Sequence, residues 1–175
     1  MKKQVYFKVI AFTMLICAAS FVAQAQKDKS KRPSPPAQAT ATVDGTTVTI
    51  DYSQPSLKGR DLFKLTESGK VWRTGANEAA WIEVSDDVKV NGKTLKKGKY
   101  GFFTINNKSD WTIIFNEVWD QWGAYDYDPS KDVLRVTADA KTGDTSVEKF
   151  TIDIDDSGKT SLKWGATVVE FSISK

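Results

Sequence analysis

Apolar and polar residues alternate with a period of two along several segments of the chain, which is the pattern of β-strands with one buried face. The alternation is clear in segments 47–52, 80–85 and 150–154. The first of these follows Asp44-Gly45, and Asn91-Gly92 lies between two further apolar stretches. Such residue pairs supply the positive φ angles that two-residue hairpins need. The pattern therefore predicts strands joined by tight antiparallel turns.

Two other segments, 100–105 and 111–115, are apolar at both odd and even positions. This pattern is typical of central strands that are covered on both faces. We therefore expect these two segments to lie in the middle of the core, with Phe115 fully buried.

The C-terminal part of the chain predicts four short strands, at 133–138, 150–154, 162–164 and 169–173, with turns at 141–144 and 155–158. In total we predict about nine short strands and no helix longer than a turn or two. The predicted fold class is an all-β, two-sheet antiparallel β-sandwich or jelly-roll-like domain. A single closed barrel is the alternative.

The N-terminal residues 1–25 have the features of a cleaved secretory signal peptide. Three lysines precede an almost uninterrupted apolar stretch at 9–22, and Ala23-Gln24-Ala25 resembles a signal peptidase site. The apolar stretch is shorter than the roughly 20 residues that a membrane-spanning helix needs. A lipoprotein signal is the alternative because Cys17 lies in this stretch, but the bulky Ile16 precedes it where a small residue is expected. We predict a mature chain that begins at Gln26, is periplasmic or secreted, and has no transmembrane span.

Residues 26–39 are rich in basic residues and proline and predict a disordered tether, and residues 40–175 predict a single β domain. Loss of the signal peptide removes three of the 25 Lys and Arg residues and none of the 22 Asp and Glu residues, so the mature chain is neutral. The charge thus gives no reason to expect nucleic-acid binding.

The sequence contains no histidine, and its one cysteine lies in the predicted signal peptide. These absences exclude nucleophile systems that depend on histidine or cysteine, and they argue against the common zinc, copper and iron sites. Two segments spaced like calcium loops, 126–137 and 153–164, lack the glutamate that should close the loop. We assign no catalytic residue, metal ligand or cofactor.

Two segments are candidates for a binding site. The first is a predicted bend with Trp72, Arg73, Asn77 and Glu78, where an arginine beside a glycine turn could hold an anion or a sugar hydroxyl. The structural alternative is an ion pair of Arg73 with Glu78 and a buried Trp72.

The second candidate is an aromatic and acidic loop, of the kind that carbohydrate-binding surfaces use because apolar sugar faces stack on flat rings. Its candidate residues are Trp119, Asp120, Trp122, Tyr125 and Asp126. The structural alternative is a rigid loop whose rings cap one end of the sandwich.

Segments 51–60, 69–78 and 120–127 together resemble the domain of unknown function 2911, a family of exported proteins of Gram-negative bacteria. The run Val-Trp-Arg-Thr-Gly-Ala-Asn-Glu at 71–78 is its most specific part, and the resemblance covers about 40–175. The chain departs from the family pattern at 64–68, where the family usually carries a loop with Gly, Val and Pro. The resemblance implies an exported β domain and supplies no activity or catalytic residue.

The leading functional hypothesis is a non-enzymatic periplasmic binding or interaction module for a glycan or a small envelope metabolite. A carboxylate-based glycan-acting hydrolase is the first alternative, since such enzymes need only two suitably spaced acids. A purely structural envelope protein is the second.

Overall fold

The computed structural model describes residues 28–175, so the predicted signal peptide with Cys17, and the cleavage point before Gln26, lie outside the described residues. The described chain is nearly all β. Its strands are β1 (Pro36–Val43), β2 (Thr46–Ser53), β3 (Val71–Trp72), β4 (Ala80–Val84), β5 (Val88–Val90), β6 (Lys93–Leu95), β7 (Gly98–Asn106), β8 (Asp110–Asn116), β9 (Asp132–Ile154) and β10 (Lys159–Ser174). One short helix, α1 (Leu62–Leu65), and short 3₁₀ turns at Lys29–Lys31 and Pro129–Lys131 complete the described elements.

The strands form one antiparallel path in the order β1-β2-β4-β7-β8-β9-β10-β5-β6, and β3 pairs with the far end of β7. Within residues 28–175 the path has two free ends, β1 and β6, so it does not close into the barrel considered as the alternative. The path folds over so that its two halves face each other. Phe102 of β7, for example, lies 6.1 Å from Phe171 of β10 between ring centroids. The prediction of an all-β antiparallel fold is therefore confirmed, and the described strands follow one continuous hydrogen-bonded path.

Both predicted hairpin turns are present. Asp44 and Gly45 have φ angles of +48° and +81° and join β1 to β2. Asn91 and Gly92, with φ of +45° and +80°, join β5 to β6 in the same way. The local sequence was sufficient here because a two-residue turn fixes the register of both strands.

The central strands β7 and β8 are covered on both faces, as their apolar pattern predicts. Phe102 and Phe115 point into the main core, and Phe115 has no exposed surface. Phe103 and Ile114 point the other way into a smaller apolar cluster, against which Tyr127 packs. The loop 117–128 therefore lies over the outer face of β7 and β8, and this position is what brings it to the site described below.

The four C-terminal strands predicted from the sequence are in fact two long ones, β9 and β10, so the turn predicted at 141–144 is wrong. Its Gly143 serves a different purpose, because a Cβ at this position would lie only 2.8 Å from the side chain of Val168. The glycine lets β10 approach β9, and two register shifts near Gly165 interrupt the pairing of the two strands. The turn predicted at 155–158 is present, with Gly158 at φ +79°.

The first strand begins inside the segment predicted to be a tether. Residues 36–39 pair with 50–53 of β2, and Ala39 is buried in the core. The alternation of small apolar residues in β1 is sufficient to bury one of its faces, although prolines precede it. Residues 28–35, which we call the N-terminal strap, lie against the domain through contacts described below.

No helix in the described part of the chain is both long and apolar enough to span a bilayer.

Candidate functional site

The bend that follows β3 is built from unusual backbone conformations. Thr74 and Asn77 have φ angles of +52° and +62°, and Gly75 has φ +156°. A Cβ at Gly75 would lie 2.9 Å from the carbonyl oxygen of Ser53, so only glycine fits there. The Thr74 hydroxyl is fully buried and donates to that of Thr104 at 3.2 Å. The bend is thus a rigid connection that fixes the directions of the side chains around it.

The ring of Trp72 fills the core and is only 9% exposed. It stacks on Trp164 and meets Trp111 and Phe150 edge to face. This candidate residue therefore has the role that the structural alternative gave it, although it also borders the pocket described below.

Asn77 and Glu78 hold the N-terminal strap. The amide nitrogen of Asn77 donates to the carbonyl oxygen of Ser34 at 3.0 Å. The carboxylate of Glu78 pairs with Arg32 at 2.7 Å and with Lys29 at 3.1 Å. Burial opposes ionisation of Glu78, but a backbone N–H and these two cations outweigh it and lower the pKa of Glu78. The Arg73–Glu78 ion pair suggested from the sequence is wrong, because Glu78 has its partners on the strap.

Arg73 has no hydrogen bond or ion pair from its side chain to any residue within 28–175, and its Nε is buried without a partner. Arg73 borders an open pocket of about 340 Å³ between α1, β3 and the loop 117–128. The pocket is lined by Leu65, Thr66, Glu67, Lys70, Val71, Trp72, Arg73, Ala124 and Tyr125. Lys70 is already paired with Glu67 at 2.5 Å. Arg73 therefore supplies the unneutralised charge of this pocket.

The aromatic loop is fastened at both ends by Asn116, the last residue of β8. The Asn116 amide accepts from the N–H of Val118 at 2.9 Å and donates to the carbonyl oxygen of Asp128 at 2.9 Å. Within the loop, the Tyr127 hydroxyl donates to Asp132 at 2.6 Å and accepts from Arg135 at 2.9 Å. Burial and the hydrogen bond to Asp132 raise the pKa of Tyr127 to about 12. The loop is a fixed part of the domain.

Main-chain contacts join the loop to the bend, so the two candidate segments form one surface. The amide of Gly123 donates to the carbonyl oxygen of Asn77 at 3.1 Å, and the amide of Ala79 donates to that of Gln121 at 3.0 Å. Glu78 and Trp122 form a β-bridge between these two contacts.

The loop exposes most of the candidate side chains that the sequence singled out. The exposed fractions are 37% for Trp119, 54% for Trp122 and 81% for Tyr125. Asp120 and Asp126 are also exposed. Of these five residues, Tyr125 alone lines the Arg73 pocket. The other four lie on the surface of the loop outside it.

Trp119 takes part in a cation–π contact that was not predicted from the sequence. The ammonium group of Lys99 lies 3.5 Å from the ring centroid of Trp81 and 3.7 Å from that of Trp119. The signal for this cluster was the outward position of Trp81 in an alternating strand, where a polar residue is usual. The cation–π contacts attach Trp119 to the outer face of the sheet.

Four further pocket residues were not predicted from the sequence, namely Leu65, Thr66, Glu67 and Lys70. Three of them fall within 64–68, where the chain departs from the family pattern, and this departure was the signal that could have found them. Thr66 is itself committed to the fold, since its hydroxyl donates to the Leu62 carbonyl oxygen and accepts from Asn106.

Glu78, the candidate acid of the bend, lacks the property that a glycosidase general acid needs. Such an acid has a raised pKa, whereas a backbone N–H and two cations outweigh burial and lower the pKa of Glu78. In residues 28–175 no group of three or more Asp and Glu side chains is arranged to hold a metal ion. The groups that the site offers to a ligand are the guanidinium of Arg73, which has no partner within residues 28–175, and the exposed phenol ring of Tyr125.

One comparison with known proteins gives a match. A family model described as a protein of unknown function, DUF2911, matches residues 34–173. No curated protein and no solved structure shows a significant match.

Proposed function

The chain belongs to the DUF2911 family of proteins of unknown function, and from this premise we propose that it is an exported, periplasmic and non-enzymatic binding module. Its binding site is the Arg73 pocket, with the exposed aromatic loop beside it. The ligand is a glycan or a small metabolite of the cell envelope.

The observation that carries this proposal is the state of Arg73. A guanidinium offers five N–H donors and keeps its charge at any physiological pH, so a partly buried arginine without a protein partner is costly. Arg73 is in this state, with a buried Nε that has no hydrogen bond within residues 28–175. An external acceptor in the adjacent pocket would complete its bonding.

The surroundings of Arg73 support a preformed site. The bend and the loop are joined by main-chain hydrogen bonds, so little conformational entropy is lost when a ligand binds. The rings of Trp122 and Tyr125 are exposed although the chain has a large core in which to bury aromatic residues. A purely structural role explains Trp72 but gives no reason for these two rings to face solvent.

A ligand screen tests the proposal. Glycans and small envelope metabolites are added to the wild-type protein and to Arg73→Ala, and the unfolding temperature is measured for each. A ligand that binds only the folded state raises this temperature. We expect at least one compound to stabilise the wild type and to have little effect on Arg73→Ala. A screen in which every compound acts equally on both proteins, or on neither, contradicts the proposal.

A further inference from the structure

We propose that the ligand of the Arg73 pocket is an acidic sugar, a monocarboxylate in which the carboxylate is attached to a hydroxylated ring. This inference rests on the binding function proposed above and adds the chemical class of the ligand. It follows from the charge of the pocket, from the close approach of Arg73 and Tyr125 to Gly123, and from the volume and the lining residues of the pocket.

The charge of the pocket matches a single negative charge. Its charged lining residues are Glu67, Lys70 and Arg73. Because Glu67 and Lys70 neutralise each other in an ion pair, the net charge of the lining is that of Arg73 alone. A carboxylate carries one charge and has the planar shape that a guanidinium binds with two parallel hydrogen bonds. A phosphate monoester carries about −1.5 to −2 and would be only partly neutralised.

Arg73 is free to present its planar fork to such a group. Within residues 28–175 no hydrogen bond fixes its side chain. A rotation that brings Nε towards the pocket therefore breaks no hydrogen bond or ion pair in the described part of the domain, and it gives the buried Nε the acceptor it lacks.

The position of the ligand ring follows from Gly123. A Cβ built on this residue would lie 3.1 Å from Nη1 of Arg73 and 3.1 Å from the ring of Tyr125. The guanidinium and the phenol ring thus flank the bare backbone of one glycine. A carboxylate held by Arg73 places the atoms attached to it beside the Tyr125 ring, which is 81% exposed. An apolar face of a sugar ring stacks on such a surface.

The walls and the volume favour a sugar over a purely aromatic acid. Glu67 and Lys70 are exposed at the pocket and offer hydrogen-bond partners for hydroxyl groups. The volume of about 340 Å³ lies near the lower end of the range of ligand pockets, which begins at about 300 Å³. One monosaccharide fits a pocket of this size better than a long oligosaccharide does.

Calorimetric titration with four probes tests the inference: glucuronate, glucose, benzoate and glucose 1-phosphate. We expect glucuronate to bind the wild-type protein at least about tenfold more tightly than glucose does, since only glucuronate can accept charge-assisted hydrogen bonds from the guanidinium through a carboxylate. Arg73→Ala should remove this preference. Arg73→Lys should not restore it, because lysine keeps the charge and loses the planar fork.

A pair of glycine variants tests the position of the ring. Gly123→Ala should weaken glucuronate binding, because the added methyl group would lie 3.1 Å from both Nη1 of Arg73 and the Tyr125 ring and would push these two groups out of position. Gly92→Ala is the matched control, with a similar φ of +80° and no atom within 4 Å of the added carbon. It carries a comparable backbone cost and should leave the affinity for glucuronate unchanged.

The outcomes separate this inference from the proposed function. If glucose binds as tightly as glucuronate and Arg73→Ala weakens both, the binding function stands and the acidic class is wrong. Tighter binding of glucose 1-phosphate or of benzoate than of glucuronate likewise overturns the acidic sugar while keeping a binding site at Arg73. If none of the four probes binds, the acidic sugar is overturned, and the proposed function then depends on the wider ligand screen alone.

Discussion

The rings of Trp72 and Trp164 stack with 5.5 Å between their centroids and 9° between their planes. Trp72 belongs to the short strand β3 at the start of the bend, and Trp164 belongs to β10 in the facing half of the fold. The stack therefore ties the segment that carries the candidate site to the opposite layer. Because Arg73 follows Trp72 directly, the packing of Trp72 in the core also holds the backbone of Arg73 in position.

Trp72→Ala should lower the free energy of unfolding by about 3 to 5 kcal/mol, because it leaves a cavity between three other aromatic rings. Urea denaturation measures the loss. Trp122→Ala is the control, since its ring is 54% exposed and its removal should change the stability by less than about 0.5 kcal/mol. Equal losses in the two variants would mean that Trp72 is not a core residue.

Local pattern was sufficient to predict the parts of the fold that are determined locally. The Asp44-Gly45 and Asn91-Gly92 turns were identified because their φ angles depend on the turn residues themselves. The segments that contain Phe103 and Phe115 are apolar at both odd and even positions, and this pattern predicted that both faces of the strands are buried. By contrast, the local sequence predicts a turn at Gly143, and this prediction is wrong. Gly143 makes room for the side chain of Val168, which lies 25 positions away in the chain, and a local pattern cannot show such a contact.

The candidate site was predictable only in part, for a related reason. The bend and the loop were both identified from their composition, but their contact depends on the packing of the loop over β7 and β8. The partner of Glu78 is Arg32, which is 46 positions away and lies in the predicted tether. Long-range ion pairs of this kind leave no periodic signal in a sequence, so the nearer Arg73 was assigned in its place.

Glu78→Gln should loosen the N-terminal strap, because it removes the anion that holds Lys29 and Arg32. Limited proteolysis with trypsin measures the effect as faster cleavage within residues 28–35. Glu83→Gln is the control, since Glu83 is exposed and has no ion pair within the described residues. Cleavage at the same rate in both variants would contradict the assigned role of Glu78.

The contribution of Glu78 to the stability of the folded state should also depend on pH. Its pKa is lowered in the folded state, so its contribution to stability is present above its ordinary pKa and is lost as the pH falls through the folded value. The stability difference between wild type and Glu78→Gln should therefore be present at neutral pH and shrink as the pH falls below the ordinary pKa of 4.5. Because the Glu78 side chain is 38% exposed, we expect less than about 1 kcal/mol at neutral pH.

Tyr127 should make the domain sensitive to alkali. Its pKa is raised from 10 to about 12 in the folded state, so the unfolded chain loses this proton first and stability falls between these two pH values. Tyr127→Phe should show a shallower fall of unfolding free energy over this range. Tyr125→Phe is the control, because it also removes one phenol hydroxyl but leaves the hydrogen bond between Tyr127 and Asp132 in place.

Export should produce a mature protein that begins at Gln26, because Ala23 and Ala25 occupy the small-residue positions of a signal peptidase site. Mass spectrometry of the protein from the periplasmic fraction measures its N-terminus. An acyl group on Cys17 would contradict this prediction and indicate a lipoprotein.

Arg73→Ala separates a binding arginine from a structural one. If Arg73 had a buried partner, its removal would leave that partner unpaired at a cost of about 3 to 5 kcal/mol. Since Arg73 has no side-chain partner within residues 28–175, we expect Arg73→Ala to lower the free energy of unfolding by less than about 1 kcal/mol, from lost packing of its aliphatic stem.

Arg135→Ala provides the comparison, because the Arg135 guanidinium binds Asp132 and Tyr127. That change should cost about 1.5 to 3 kcal/mol, the range for hydrogen bonds to charged groups. Urea unfolding of both variants beside the wild type measures the difference. A midpoint for Arg73→Ala as low as that for Arg135→Ala would show that Arg73 stabilises the fold and would remove the main support for a ligand site in its pocket.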